Sequence, residues 1–252
     1  MSGPFTQRGE GWRKIPKCMT TLCVAMASTF LASPVRAAGT AYAVDTSEVT
    51  DTGACKIESW FSTASNHDFF GAVNPACGVN LFLPAELSTQ VSRARSDGDW
   101  ATALTPKAKV RIIPTAIGAP GLALSATAGF DLTNHENTSL AVTAPVTLRL
   151  SNVVRINLNA GWMWDRTIDL HYLTYGAGVD WRTADNIYTL TVEAFGQLGA
   201  SDGSSVTWPR FQVGFRYRPI DAFSVDVIYG RNITGENANW ITMGTTIRFA
   251  AE

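Results

Sequence analysis

The chain has 252 residues, with 20 Lys and Arg against 21 Asp and Glu for a formal charge of −1, and 46% hydrophobic against 16% charged residues. That composition is too apolar for a disordered chain and contains no charge run long enough for a nucleic-acid tail. Beyond residue 37, no apolar run approaches the ~18 residues that suggest a membrane helix, while 21 Gly and 12 Phe, 8 Trp and 6 Tyr favour strands, turns and interfaces.

The first segment reads as an address. Arg8, Arg13, Lys14 and Lys17 form a positive leader, Cys18 to Ala32 is apolar, and Val35-Arg36-Ala37 is a small-x-small cleavage pattern. This is the layout of a secretory signal peptide over residues 1–37, and Ala41-Tyr42-Ala43 offers a second cut after Ala43. Removing residues 1–37 takes away five basic residues and one acid, leaving fifteen and twenty. Residues 38–54 read as a flexible lead-in. Export leaves two cysteines, Cys55 and Cys77, in an oxidising compartment, where such a pair favours a disulfide over a metal site.

From 55 to 249 the chain alternates with period two. In 121–132 the even positions are Leu122, Leu124, Ala126, Ala128, Phe130 and Leu132, against Gly, Ala, Ser, Thr, Gly and Asp. In 153–165, Val154, Ile156, Leu158, Trp162 and Trp164 oppose Arg155, Asn157, Asn159 and Asp165. Near the end, Ile241, Met243, Ile247 and Phe249 oppose Thr242, Gly244, Thr246 and Arg248. Successive strand side chains point to opposite faces, so each run has one apolar and one polar face. The pattern predicts twelve strands, at about 55–65, 68–82, 85–96, 98–113, 121–133, 138–150, 153–165, 169–182, 186–199, 205–218, 222–231 and 238–249. Tight connectors at 151–152, 183–185 and 219–221 alternate with somewhat longer polar ones at 134–137, 166–168, 200–204 and 232–237. The long connector 114–120 breaks that alternation.

A soluble sandwich or barrel would show the same alternation with its apolar face inward. Three features favour the inverted arrangement. The polar faces carry many charges. Aromatic residues sit at strand ends on the apolar face, Trp162, Trp164 and Tyr229 at one rim and Trp181, Tyr188, Tyr217, Phe223 and Phe249 at the other, as in a two-girdle membrane barrel. The strand lengths suit the ~9–11 residues needed to cross a bilayer at a tilt. The fold class read from this is all-β: a transmembrane, antiparallel, up-and-down β-barrel of about 12 strands over residues 55–249.

The final hairpin, from Asp226-Val-Ile-Tyr-Gly-Arg-Asn through Trp240-Ile-Thr-Met-Gly to Ile247-Arg248-Phe249, resembles bacterial outer-membrane barrels. The family named for the meta-pathway of phenol degradation is the particular likeness, shared by Cys55-Lys-Ile-Glu-Ser-Trp and Asn74-Pro-Ala-Cys77. The resemblance implies the outer membrane of a Gram-negative cell, surrounding lipid and passage of small solutes, with aromatic ones among the candidates, and it supplies no catalytic residues. It also implies handling by the barrel assembly machinery, although Ala250-Ala251-Glu252 follow the terminal aromatic Phe249.

No catalytic, P-loop, zinc or EF-hand motif is present, and neither cofactor, metal nor nucleic-acid partner is expected. His67 beside Asp68, and His135 near Glu136, are the residues a lipid-modifying enzyme would use, and Asp131, Asn134, Glu136 and Asn137 match no specific calcium spacing. The lumen is the better candidate site. Parity turns Lys107, Lys109, Arg111, Arg149, Arg155, Arg182, Arg210, Arg216, Arg218 and Arg248 inward, with Glu58, Glu86, Asp131, Asp165, Asp180, Glu193 and Asp226. These charges line either a narrow, anion-preferring pathway or a ladder of ion pairs that fills the barrel. A passive channel is therefore the expected function. The rivals are a structural or adhesive barrel binding through its outer loops, especially 230–239, and the enzyme.

Overall fold

The computed structural model describes residues 41–96, 98–201, 204–207, 209–233 and 238–250, and the expected leader lies outside them. The strands are β1 (Ala54–Ala64), β2 (Phe69–Asn80), β3 (Pro84–Ser96), β4 (Asp99–Ile113), β5 (Pro120–Asp131), β6 (Glu136–Arg149), β7 (Val154–Asp165), β8 (Leu170–Arg182), β9 (Tyr188–Ser201), β10 (Ser204–Thr207), β11 (Arg210–Ile220), β12 (Phe223–Asn232) and β13 (Asn239–Ala250). Each pairs antiparallel with its neighbours, and β1 pairs with both β2 and β13, which closes the sheet on itself. Thirteen strands make a barrel of twelve staves. β10 pairs with the last residues of β9, ending at Thr207↔Leu198, and β11 resumes along the same edge from Arg210↔Phe195. The stave expected at 205–218 is thus interrupted next to Pro209, which has no N–H to give to a ladder.

The apolar face is outside. In β13, Ile241, Met243 and Ile247 are 48%, 47% and 50% exposed, while Thr242 and Thr246 between them are 3% and 2% exposed. A one-residue slip would exchange the faces, so the burial of one polar set fixes the register of every stave. The surface is therefore a belt of Leu, Val, Ile and aromatic side chains, far larger than a water-facing protein carries.

Trp162 and Tyr229 are exposed at the far end, together with Trp100, and Trp162 and Trp164 both stack on His171. Trp181, Tyr188, Tyr217 and Phe249 are exposed at the end holding Ala54 and Ala250, where Tyr188 stacks between Phe215 and Tyr217. Cys55 and Cys77 face each other across β1 and β2 with Cα atoms 4.1 Å apart and form a disulfide.

Connection lengths differ from expectation. The far-end connections 65–68, 97–98, 132–135 and 166–169 have two to four residues and 233–238 has six, against two to five for 81–83, 150–153, 183–187 and 221–222 and six for 114–119 at the terminal end, so the two ends overlap in length. The long terminal-end turn 114–119 has a structural use. It folds back so that Ile117 bridges Arg149, and the Gly118 N–H donates to the Arg149 carbonyl at 2.9 Å.

Candidate functional site

Inward side chains make a polar interior. Glu58, Asn74, Glu86, Gln90, Lys107, Lys109, Thr147, Asn157, Asp180, Glu193, Gln212 and Asp226 are all buried. Through them passes the segment before β1. Residues 38–54 read as a flexible lead-in, but the described part, from residue 41, is a strap bonded across the lumen. Its polar residues give no strand or helix period because they bond to the wall one at a time rather than to a ladder.

The strap enters at the terminal end, where the Thr50 N–H and hydroxyl donate to Glu86 on β3, at 3.0 and 2.6 Å. Glu48 then takes Arg149 of β6 on one oxygen, at 2.5 Å, and Arg155 of β7 on the other, at 2.7 Å. The Ser47 N–H donates to Thr147 Oγ1 at 2.8 Å, and its hydroxyl lies 2.9 Å from Thr115 Oγ1 in the long turn. Asp45 meets Lys107 and Lys109 of β4 at 2.5 and 3.1 Å, again one cation to each oxygen. With its amide turned to suit its neighbours, Asn159 of β7 clasps both backbone polar groups of Asp45, at 2.7 and 2.9 Å. The N–H groups of Ala43 and Val44 donate to Glu193 of β9 at 2.9 and 3.3 Å. Tyr42 donates to Asp226 of β12 at 3.0 Å, with the Arg216 guanidinium 5.3 Å from its ring centre. The partners thus come from β3, β4, β6, β7, β9 and β12, right round the wall.

The wall is shaped for this segment. A Cβ on Gly214 would lie 2.5 Å from the Tyr42 ring, and one on Gly121 would lie 2.5 Å from Ser47 Oγ. Only glycine gives the strap room at those two places.

Of the residues singled out by parity, Lys107, Lys109, Arg149, Arg155, Asp180, Glu193, Arg216 and Asp226 come together around the strap. Asp180 holds Arg155 through Nε at 2.7 Å and Nη2 at 2.6 Å, and itself accepts from Asn157 and Thr191. Arg216 pairs with Asp226 at 2.8 Å. Arg111, half-buried at the terminal end, stands apart from that belt, as does Arg210 near the far end, while Arg248, half-buried at the terminal end, lies within electrostatic reach of Arg216 and Asp226. Asp165 instead closes a far-end turn, accepting from the Thr167 N–H at 3.0 Å.

His67 and His135 sit in turns, at φ 70° and φ 58°. The acids near them serve those turns, since Asp68 accepts from Asn66 and Asp131 from Thr133 and Asn134. Among the described residues, no three His, Cys, Asp or Glu are placed to hold a metal ion. Sequence reasoning missed Tyr42, Asp45 and Glu48. The signal was the excess of inward cations over inward acids, which asks for counter-charges from outside the staves.

A closed antiparallel barrel of twelve staves, apolar without and charged within, is an outer-membrane porin-like fold. The chain belongs to the family described as "Uncharacterised conserved protein UCP029691", whose model matches residues 26–249. A search of curated protein sequences returns no significant match. Among solved structures, the chain is similar to the KdgM porin in complex with disordered oligogalacturonate, at 13% identity and a TM-score of 0.60, over 77% of this chain and 99% of that one. It is also similar to the NanC porin, at 8% identity and a TM-score of 0.62, over 76% of this chain and 98% of that one.

Proposed function

We propose that the protein is an outer-membrane channel for small solutes, held closed in the state described by its own N-terminal strap. The observation that carries this reading is how the strap is attached. It crosses a charged lumen on side-chain bonds and ion pairs while the twelve staves close without it, so it is a separable part within a complete wall. The apolar belt and its two aromatic rims suit a surrounding outer-membrane lipid phase. Phe249, exposed on the outer face at the last stave, suits recognition by the barrel assembly machinery. The likeness of the last hairpin to the meta-pathway of phenol degradation family would extend the solutes to aromatic ones, and the lumen cations to anionic ones.

The test compares the wild-type chain with a variant lacking residues 42–49 in planar bilayers. Small, infrequent conductance steps are expected from the first and larger, sustained ones from the second. Silence from both, over a range of salt and voltage, would overturn the reading. That outcome would favour a structural barrel, in which the strap is permanent filling.

A further inference from the structure

We propose that Lys107, Lys109, Arg149 and Arg155 form a binding site for a small solute carrying two carboxylates, and that Asp45 and Glu48 occupy this site as an internal stand-in. The inference rests on the channel reading and names the class of solute. Its geometry is that of two carboxylate seats. One ammonium group meets each oxygen of Asp45, and one guanidinium meets each oxygen of Glu48, so all four oxygens are met by cations. Charge-assisted bonds of this kind are the strong and directional ones.

The seats are built into the wall. Arg155 is fixed from behind by Asp180, which Asn157 and Thr191 hold in turn. Ligand-binding groups locked in this way by supporting bonds are ready for a ligand before it arrives. Lys107 and Lys109 project from the same face of β4, two residues apart, and both are buried.

The energetics favour an anion. When the strap moves, both of its carboxylates leave, the cations keep only what the wall supplies, such as Asp180 beside Arg155, and inward charge short of its partner is costly. A dicarboxylate restores both pairings without any change in the ladders. A neutral or cationic solute would leave the seats unmet, so the same charges select against it.

The test uses the full-length chain with Asp45→Ala and Glu48→Ala together, which vacates both seats, in detergent, with succinate as probe and neutral succinamide as control. Titration calorimetry is expected to show succinate binding at least about tenfold tighter than to the wild-type chain, because two charge-assisted pairings become available. Succinamide is expected not to bind. Adding Lys107→Met and Lys109→Met should remove most of the gain. Equal succinate affinity in the wild-type chain and the double variant, or an affinity untouched by the lysine changes, would overturn the proposal. Should the double variant not fold, Glu48→Ala alone vacates one seat, and acetate replaces succinate in the same comparison. Binding does not depend on conductance. Succinate binding with silent bilayers would overturn the channel reading alone, and conductance without succinate binding would overturn this site alone.

Discussion

Tyr42 has a prepared seat. Its hydroxyl reaches Asp226, Arg216 lies over its ring, and Gly214 leaves it the space a side chain would fill. A wall shaped around residue 42 favours a leader cut, where one is made, that keeps residue 42 on the chain. Cleavage is therefore expected after Ala37 rather than after Ala43, and the intact mass of the exported protein should correspond to a start at Ala38. Gly214→Leu places a branched side chain where the Tyr42 ring lies, so the ring must give way. The upper strap should detach, and a Glu-specific protease should then cut after Glu48 much faster than in the wild type. An unchanged rate would mean that the ring does not hold the strap. Asp45 carries a larger share. Asp45→Asn keeps the shape but takes from two buried ammonium groups the carboxylate they share, and breaking a buried pair in this way costs on the order of 3 kcal/mol. The loss is expected in the unfolding midpoint, with Asp165→Asn, in an exposed turn, as a nearly silent control.

At the scale of elements, the turn 114–119 shows what its length does. It lies beside the entering strap, with Thr115 on Ser47 and Ile117 bridging Arg149. Replacing it by a two-residue turn should leave the β4–β5 ladder intact, because that ladder starts at Ile113↔Leu122. The strap would lose one hydroxyl partner, and the carbonyl of Arg149 would lose its donor. Faster cleavage at Glu48 with an unchanged β-sheet circular dichroism spectrum is the expected result. The staves themselves were legible in the sequence because alternation is a strict code. In Ile241 to Phe249 every second residue except Thr245 is apolar, and the structure turns those residues outward. The tenth stave was read through Pro209 as one run because alternation carries no mark for a missing N–H. Sidedness was less legible, since the connector lengths that suggested it overlap between the ends. The strap was illegible for a physical reason. Its residues bond to six different staves, so nothing in 41–50 repeats, and a polar stretch without period reads as solvated chain.

For the whole molecule, the question is whether the strap is part of the core or a guest within it. In most small proteins, deleting a segment that carries this many buried bonds would unfold the chain. Here the framework has a different origin. Every stave is paired on both sides, and the closing seam alone aligns Ala54 to Ala64 against Ala250 to Trp240 without a break. Those ladders satisfy the backbone, as a barrel in hydrocarbon requires, and owe nothing to residues 41–50. The strap contributes instead to the electrostatics of the interior, by neutralising Lys107, Lys109, Arg149 and part of Arg155. Removing residues 42–49 should therefore leave the β-sheet spectrum unchanged. It should cost about 3 kcal/mol or more, as a lost buried pair does, and a loss of 3 kcal/mol corresponds to a midpoint lower by roughly 6–12 °C in a chain of this size. Because the deficit is one of unmatched cations, added sulfate should recover much of it, and an equal ionic strength of a weakly coordinating anion should recover less. Complete loss of the sheet on deletion would make the strap a folding core and the barrel a permanently filled one. Recovery that follows ionic strength alone, regardless of the anion, would mean that the four cations are screened by salt and have no preference for what fills the place of Asp45 and Glu48.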